Sequence, residues 1–184
     1  MKYLLPLIAL ILLIAVLCTA CTGRHDPDTV IEEDGGVRDN TDHDAPTVIG
    51  SGEITSFSCM FSTIAYLEED IRIESGIYHL EAALADGAVQ GSYRFLTRDG
   101  EETAFAFQAE TAFLNDLQKI VQEQDLAQYN GHSVFVNGLP NEYGASLQIG
   151  YASGESVYAD DNQDCFLPIP AMEQLHQLFT AQAD

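Results

Sequence analysis

The chain has 184 residues, of which 29 are acidic and seven are basic, so its formal net charge is −22 at pH 7. Binding to nucleic acid depends on lysine and arginine contacts to phosphate, so we expect no nucleic-acid partner. An acidic excess of this size favours solubility and attracts cations and basic partners.

The N-terminal segment predicts export. Lys2 precedes an apolar run over residues 4–17, and small residues then lead to Cys21. This order of a positive charge, an apolar run and small residues is typical of a secretory signal peptide. We therefore predict that residues 1–20 are a signal peptide and that the rest of the chain lies outside the cytoplasm.

The end of this segment resembles the lipobox of bacterial lipoproteins, in which small residues precede a cysteine that receives a diacylglyceryl group. Thr19, Ala20 and Cys21 match its last three positions, whereas Cys18 stands where that family usually carries leucine. The resemblance implies lipid attachment at Cys21 and placement on the extracytoplasmic face of the cell membrane. The alternative is an uncleaved anchor helix, because residues 3–20 just span a bilayer of about 30 Å.

Residues 21–47 are expected to form an acidic, disordered linker. They carry few aliphatic side chains among many carboxylates, so they bury too little apolar surface to offset the entropy of ordering. Asp26 and Asp28 alternate as in a calcium-binding EF-hand loop, but Val30 occupies the third ligand position, which argues against that motif.

Residues 48–184 are expected to fold as one domain. Alternating apolar and polar residues predict four strands, at 54–63, 76–84, 89–96 and 103–108. The last three are separated by Asp86-Gly87 and Asp99-Gly100, which favour tight hairpin turns. These three strands are therefore predicted to form an antiparallel meander.

The second half of the domain mixes helices and strands. Apolar residues at helical spacing predict a helix from Ala112 to about Gln124. A short strand at 133–136 and a hairpin of strands at 145–152 and 155–160 follow, and Pro170 suits the first turn of a final helix. The expected fold is α+β, with an antiparallel sheet of about six or seven strands and both helices packed on one face.

The folded region contains no catalytic motif that we recognise. Residues 48–184 lack the nucleophile elbow, the His-Glu-x-x-His zinc motif, the phosphate-binding loop and the Cys-x-x-Cys motif. The residue pattern therefore predicts no cofactor and favours a non-enzymatic protein.

A few residues remain as weak candidates for a site. Asp160, Asp161 and Asp164 cluster in a loop that suits a calcium ion or is simply an exposed turn. Cys59 and Cys165 are expected to be buried thiols, with a disulfide as the less favoured alternative. Four tyrosines have the amphipathic rings typical of recognition surfaces, although strand packing explains them equally well; they are Tyr93, Tyr143, Tyr151 and Tyr158.

Several short stretches carry a wider resemblance, among them Gly91-Ser92-Tyr93-Arg94-Phe95, Tyr129-Asn130-Gly131-His132 and Tyr151-Ala152-Ser153-Gly154-Glu155. Over residues 56–179 the domain resembles uncharacterised surface proteins and lipoproteins of anaerobic, gut-type bacteria. This resemblance implies extracytoplasmic placement, and it carries no activity or catalytic residue.

Together these features favour a membrane-anchored module that binds a ligand or another envelope protein. One alternative is a hydrolase that uses paired carboxylates on envelope or dietary polymers. The other is a passive spacer.

Overall fold

The computed structural model describes residues 36–67 and 69–183. The predicted signal peptide, Cys21 and the first part of the predicted linker lie outside these residues. Among the described residues, no helix has the length and apolar character needed to cross a membrane.

The described part of the chain is α+β, as predicted. It contains two α-helices, α1 (Ala112–Glu123) and α2 (Ile169–Thr180), and two short 3-10 turns, Leu126–Tyr129 and Asn141–Tyr143. The strands are β1 (Val37–Asp39), β2 (Ile54–Ser62), β3 (Gly76–Ala85), β4 (Ala88–Thr97), β5 (Glu102–Ala109), β6 (Ser133–Val136), β7 (Ala145–Tyr151) and β8 (Ser156–Asp161).

All eight strands form one sheet in the order β1-β6-β8-β7-β2-β3-β4-β5. Neighbouring strands are antiparallel except β6 and β8, which are parallel. The sheet is therefore mixed and has eight strands, which corrects the prediction of an antiparallel sheet of six or seven. The parallel pair arises because β7 lies two positions away from β6, and β8 then returns along β7 into the place between them. Alternation within a strand does not predict the order of strands in the sheet.

The predicted meander of β3, β4 and β5 is confirmed. Asp86 and Gly87 both have positive φ, 52° and 82°, which is the backbone of a two-residue turn that matches the twist of a hairpin.

Both helices cover the same face of the sheet. Pairing places Phe57 of β2 and Phe107 of β5 in one row, on one side. The ring of Phe113 on α1 lies 5.3 Å from Phe107, and the ring of Phe179 on α2 lies 6.2 Å from Phe57 and 5.8 Å from Phe107. The core therefore lies between this face and the helices, and burying one large apolar side chain there stabilises the fold by about 1.5–3 kcal/mol.

The chain joins the sheet earlier than the sequence predicts. β1 lies inside the expected linker and pairs with β6, and the Asp42 N–H donates to the carbonyl of Gly131 at 2.8 Å. Residues 36–47 thus belong with the domain that was expected to start at residue 48. The side chains of β1 are exposed, so this strand forms through backbone hydrogen bonds and leaves no alternation of buried residues in the sequence.

Candidate binding face of the sheet

The face of the sheet opposite the helices carries three rows of outward-pointing residues, which we call the open face. The rows cross β8, β7, β2, β3, β4 and β5, and strand pairing defines their members. The first row is Asp160, Ser146, Met60, His79, Arg94 and Ala104. The middle row is Tyr158, Gln148, Ser58, Glu81, Ser92 and Ala106. The third row is Ser156, Gly150, Ser56, Ala83, Gln90 and Gln108.

A groove of about 480 Å³ crosses the middle and third rows. Its floor carries short side chains, including Ser56, Ser58 and Ala83, while Gln90 and Gln148 provide longer side chains around it. Short residues leave space above the pleated backbone, and this space forms the groove. The groove remains open because the packed helices lie on the other side of the sheet.

Most of the exposed lining of the groove is apolar, and its neutral polar side chains are serine hydroxyls and glutamine amides. These groups both donate and accept hydrogen bonds. The charged residue in the groove is Glu81, whose carboxylate accepts a hydrogen bond from the Ser92 hydroxyl at 3.3 Å. The groove therefore suits a neutral or cationic ligand that combines apolar surface with hydrogen-bonding groups.

The nearest cation on the open face is already paired. Arg94 Nε lies 3.1 Å from the carboxylate of Glu102, and the two side chains are 49% and 48% exposed. An ion pair this exposed contributes about 0–1 kcal/mol to stability. Its main effect here is to neutralise the positive charge at the margin of the groove, which disfavours anionic ligands.

His79 stands between Met60 and Arg94 in the first row. Burial lowers the pKa of its imidazole below the usual value, and the positive charge of Arg94 lowers it further. The ring is therefore neutral at pH 7 and can donate from one nitrogen while it accepts at the other.

The predicted cation candidates do not share one loop: Asp160 and Asp161 are the last two residues of β8, and Asp164 lies in the segment that follows the strand. Asp161 is buried, and its Oδ1 accepts backbone N–H groups from Gln163 and Asp164 at 2.8 and 2.9 Å. Its Oδ2 lies 3.2 Å from Nε2 of His132. The neighbouring Asp160 has one buried oxygen without a hydrogen-bond partner among the described residues. In residues 36–67 and 69–183, no three potential ligands group in a way that could hold a metal ion.

The two cysteines of the domain are free thiols. Cys59 is buried on the helix-covered face, and Cys165 Sγ lies 3.5 Å from Met172 Sδ. Burial raises the pKa of both thiols. Both are therefore protonated at pH 7 and poorly suited to act as nucleophiles.

The four candidate tyrosines separate into two pairs. Tyr93 and Tyr151 are buried, whereas Tyr143 and Tyr158 are 49% and 48% exposed. Burial also raises the pKa of Tyr93 to about 12. Of the four, Tyr158 lies on the open face, where its ring ends the middle row.

A second recess, of about 630 Å³, contains several carboxylates, including Asp42, Asp44 and Glu155. The Glu155 carboxylate accepts hydrogen bonds from the Ser153 hydroxyl and from the N–H groups of Gly50 and Ser51, and these contacts lower its pKa. A carboxylate held in its ionised form does not serve as a general acid near neutral pH. Glu155 is therefore poorly suited to be the general acid that the alternative hydrolase function would require.

The sequence contained part of the signal for the open face. Alternation over the predicted strands at 54–63, 76–84 and 89–96 puts Ser56, Ser58, Glu81 and Ser92 on the polar sides of their strands. The rows depend on which strands are neighbours, and alternation alone does not reveal that order.

Comparisons with protein-family models, with curated proteins and with solved structures find no match to this chain.

Proposed function

We propose that this chain is an extracytoplasmic, membrane-anchored binding module that holds a polar ligand across the open face. The observation that carries this proposal is the groove of about 480 Å³ on the uncovered side of the sheet. The signal-like segment and the lipobox resemblance at Cys21 support the placement and the anchor.

The chemistry of the groove favours a neutral, hydroxyl-rich ligand such as a segment of glycan. Ser58, Ser92 and Gln148 offer donors and acceptors to a ligand that carries both, and the exposed ring of Tyr158 offers an apolar surface at the end of the same row. The middle row crosses six strands at a spacing of about 4.8 Å, so it extends over about 24 Å. This length suits an oligomer better than a single small molecule.

The groove favours binding over hydrolysis. Glycoside hydrolysis requires two carboxyl groups that flank the scissile bond, whereas the groove contains one, that of Glu81. A passive spacer would have no need of such a groove.

The binding proposal is tested by thermal unfolding of the full chain in detergent with added ligands. The panel contains neutral oligosaccharides, anionic oligosaccharides and short peptides. A ligand that binds only the native state at 100 times its Kd stabilises that state by about 2.7 kcal/mol. We expect at least one neutral oligosaccharide to raise the melting temperature and the anionic ones to leave it unchanged. The absence of any shift with the neutral compounds at millimolar concentration would contradict the proposal.

The anchor is tested by mass spectrometry of the protein extracted from membranes. We expect an N-terminus at Cys21 that carries a diacylglyceryl group, which provides the two acyl chains that stable anchoring needs. The Cys21→Ser variant should retain residues 1–20 because lipid attachment precedes cleavage. A wild-type chain that retains residues 1–20 without lipid would instead indicate a helical anchor.

A further inference from the structure

The free edge of β5 is a second surface on which the chain can bind a partner. β5 is the last strand in the sheet and pairs with β4 alone. Its pairing with β4 runs without a register break from Glu102 to Ala109. The opposite edge of the strand has no neighbouring strand in the described part of the chain.

The hydrogen-bond pattern identifies the backbone groups that face this edge. The Thr97 N–H donates to the carbonyl of Glu101 at 2.9 Å, which fixes the start of the ladder between β4 and β5. Residues of an antiparallel strand bond alternately to one neighbour and to the other. It follows that the N–H and C=O groups of four β5 residues point away from β4, namely Glu102, Ala104, Ala106 and Gln108.

This edge lacks the features that usually prevent strand addition. Natural sheets protect their edges with lysine, proline or bulges, and β5 reads Glu-Thr-Ala-Phe-Ala-Phe-Gln-Ala. Its charged residue, Glu102, is paired with Arg94. Ala104 and Ala106 are too short to obstruct an incoming strand, and a recess of about 590 Å³ lies beside Phe105 and Phe107.

We propose that the free edge of β5 takes up an extended, basic segment of another protein as a ninth strand of the sheet. Carboxylates stand at both ends of the edge, Glu101 at one end and Glu110 at the other, and the whole chain carries a net charge of −22. Lysine or arginine residues in the incoming segment would complement these charges. Main-chain hydrogen bonds would supply the affinity, as in other cases of strand addition.

Two other occupants fit less well. A second copy paired antiparallel through β5 would place Glu101 of one chain near Glu110 of the other, and like charges repel. The first strand of the described chain, β1, is already paired with β6 on the opposite edge of the sheet.

A synthetic decapeptide that alternates lysine with threonine and valine is the probe for this surface. Binding to the full chain in detergent is measured by fluorescence anisotropy at low and high salt. We expect binding that weakens several-fold between 50 and 500 mM NaCl because salt screens exposed charges. We expect at least tenfold weaker binding when glutamate replaces the lysines or when all peptide amides are N-methylated. Equal binding of the N-methylated peptide would overturn the proposal, since strand addition requires these amides.

Two substitutions at one position locate the contact. Ala106→Pro removes an N–H that points away from β4, so the ladder between β4 and β5 loses no hydrogen bond. Ala106→Thr keeps that N–H and is the matched control. We expect peptide affinity to fall at least tenfold for Ala106→Pro and to change by less than about threefold for Ala106→Thr, because about 1.4 kcal/mol corresponds to tenfold.

Hydrogen exchange tests the same contact without a substitution. Addition of the peptide should slow exchange at the amides of Ala104 and Gln108, which face the free edge and lie outside the lining of the groove. Protection confined to the groove residues of the open face would overturn the edge proposal and leave the binding proposal for that face intact. A dimer that forms without peptide and that Ala106→Pro converts to a monomer would identify a second copy as the occupant and would also overturn it.

Discussion

His176 is a titratable residue enclosed by the aromatic core. Its Nδ1 lies 3.3 Å from the hydroxyl of Tyr93, and its ring meets that of Tyr78 edge-on at 5.5 Å. Burial lowers the pKa of its imidazole below the usual 6.5. The folded state therefore favours the neutral form of this side chain.

This burial predicts a loss of stability in mild acid. Below about pH 6.5 the imidazole of His176 takes up a proton in the unfolded chain before it does so in the folded chain. The free energy of unfolding should therefore fall as the pH drops from 6.5 towards the folded-state pKa, and His79 should contribute in the same direction. Urea unfolding between pH 7.5 and 5 measures this change. His176→Gln should make it smaller, and an unchanged pH dependence in that variant would contradict the assignment.

Asn162 holds the turn after β6 in place. Its buried amide accepts a hydrogen bond from the Val136 N–H at 2.7 Å and donates to the carbonyls of Val136 and Leu139 at 3.0 and 3.2 Å. No other side chain in the described residues makes three such contacts to this turn. Asn162 thus connects the end of β8 to the segment that follows β6.

We predict that Asn162→Ala destabilises the domain by about 1–3 kcal/mol, because the partly buried backbone groups of Val136 and Leu139 lose their partners. Denaturant unfolding measures the difference. Gln163→Ala is the control, since the neighbouring Gln163 side chain is exposed and its loss should change stability by about 0.5 kcal/mol or less. Equal effects of the two substitutions would contradict this role for Asn162.

At the scale of elements, the segment from β1 to Ala45 packs against Gly131. Gly131 has φ of 85°, and a Cβ at this position would collide with the Asp42 carbonyl oxygen and with Ala45 Cβ. Gly138 has the same φ of 85° but nothing within 4 Å of the Cβ position. The two glycines therefore share one backbone conformation and differ in their contacts.

The two glycines predict unequal losses of stability for the same substitution. Gly131→Ala and Gly138→Ala both place a side chain in the left-handed region, which costs about 1–2 kcal/mol. Gly131→Ala should cost about 1 kcal/mol more because it also displaces the packed segment. It should also speed trypsin cleavage after Arg38, which lies in β1. Equal stability and equal cleavage rates in the two variants would show that the segment is not held by this contact.

The elements that the sequence predicted well are those with one buried side. β2 was predicted at 54–63 and spans Ile54–Ser62, and α1 was predicted from Ala112 to about Gln124 and spans Ala112–Glu123. In both, apolar residues recur at the period of the element because they pack into the core. β1 has three exposed residues, and strand pairing that depends only on backbone groups leaves no such period.

At the scale of the whole molecule, the order of the strands determines the open face. The polar residues Ser58, Glu81 and Ser92 belong to three different strands, and each was predictable as outward-facing from its own strand. Their arrangement in one row follows from the neighbours β2, β3 and β4. The groove was therefore not predictable from local sequence, because it is produced by long-range pairing.

A matched pair of tryptophan substitutions tests the open face most directly. Ala83 and Ala104 are both exposed on this face, but Ala83 lines the groove and Ala104 lies outside its lining. Ligand-induced thermal stabilisation is measured with the neutral oligosaccharide that stabilises the wild-type chain most. Ala83→Trp should fill the groove and abolish the shift in melting temperature, whereas Ala104→Trp should retain it. A full shift in Ala83→Trp would contradict the assignment of the open face as the binding surface.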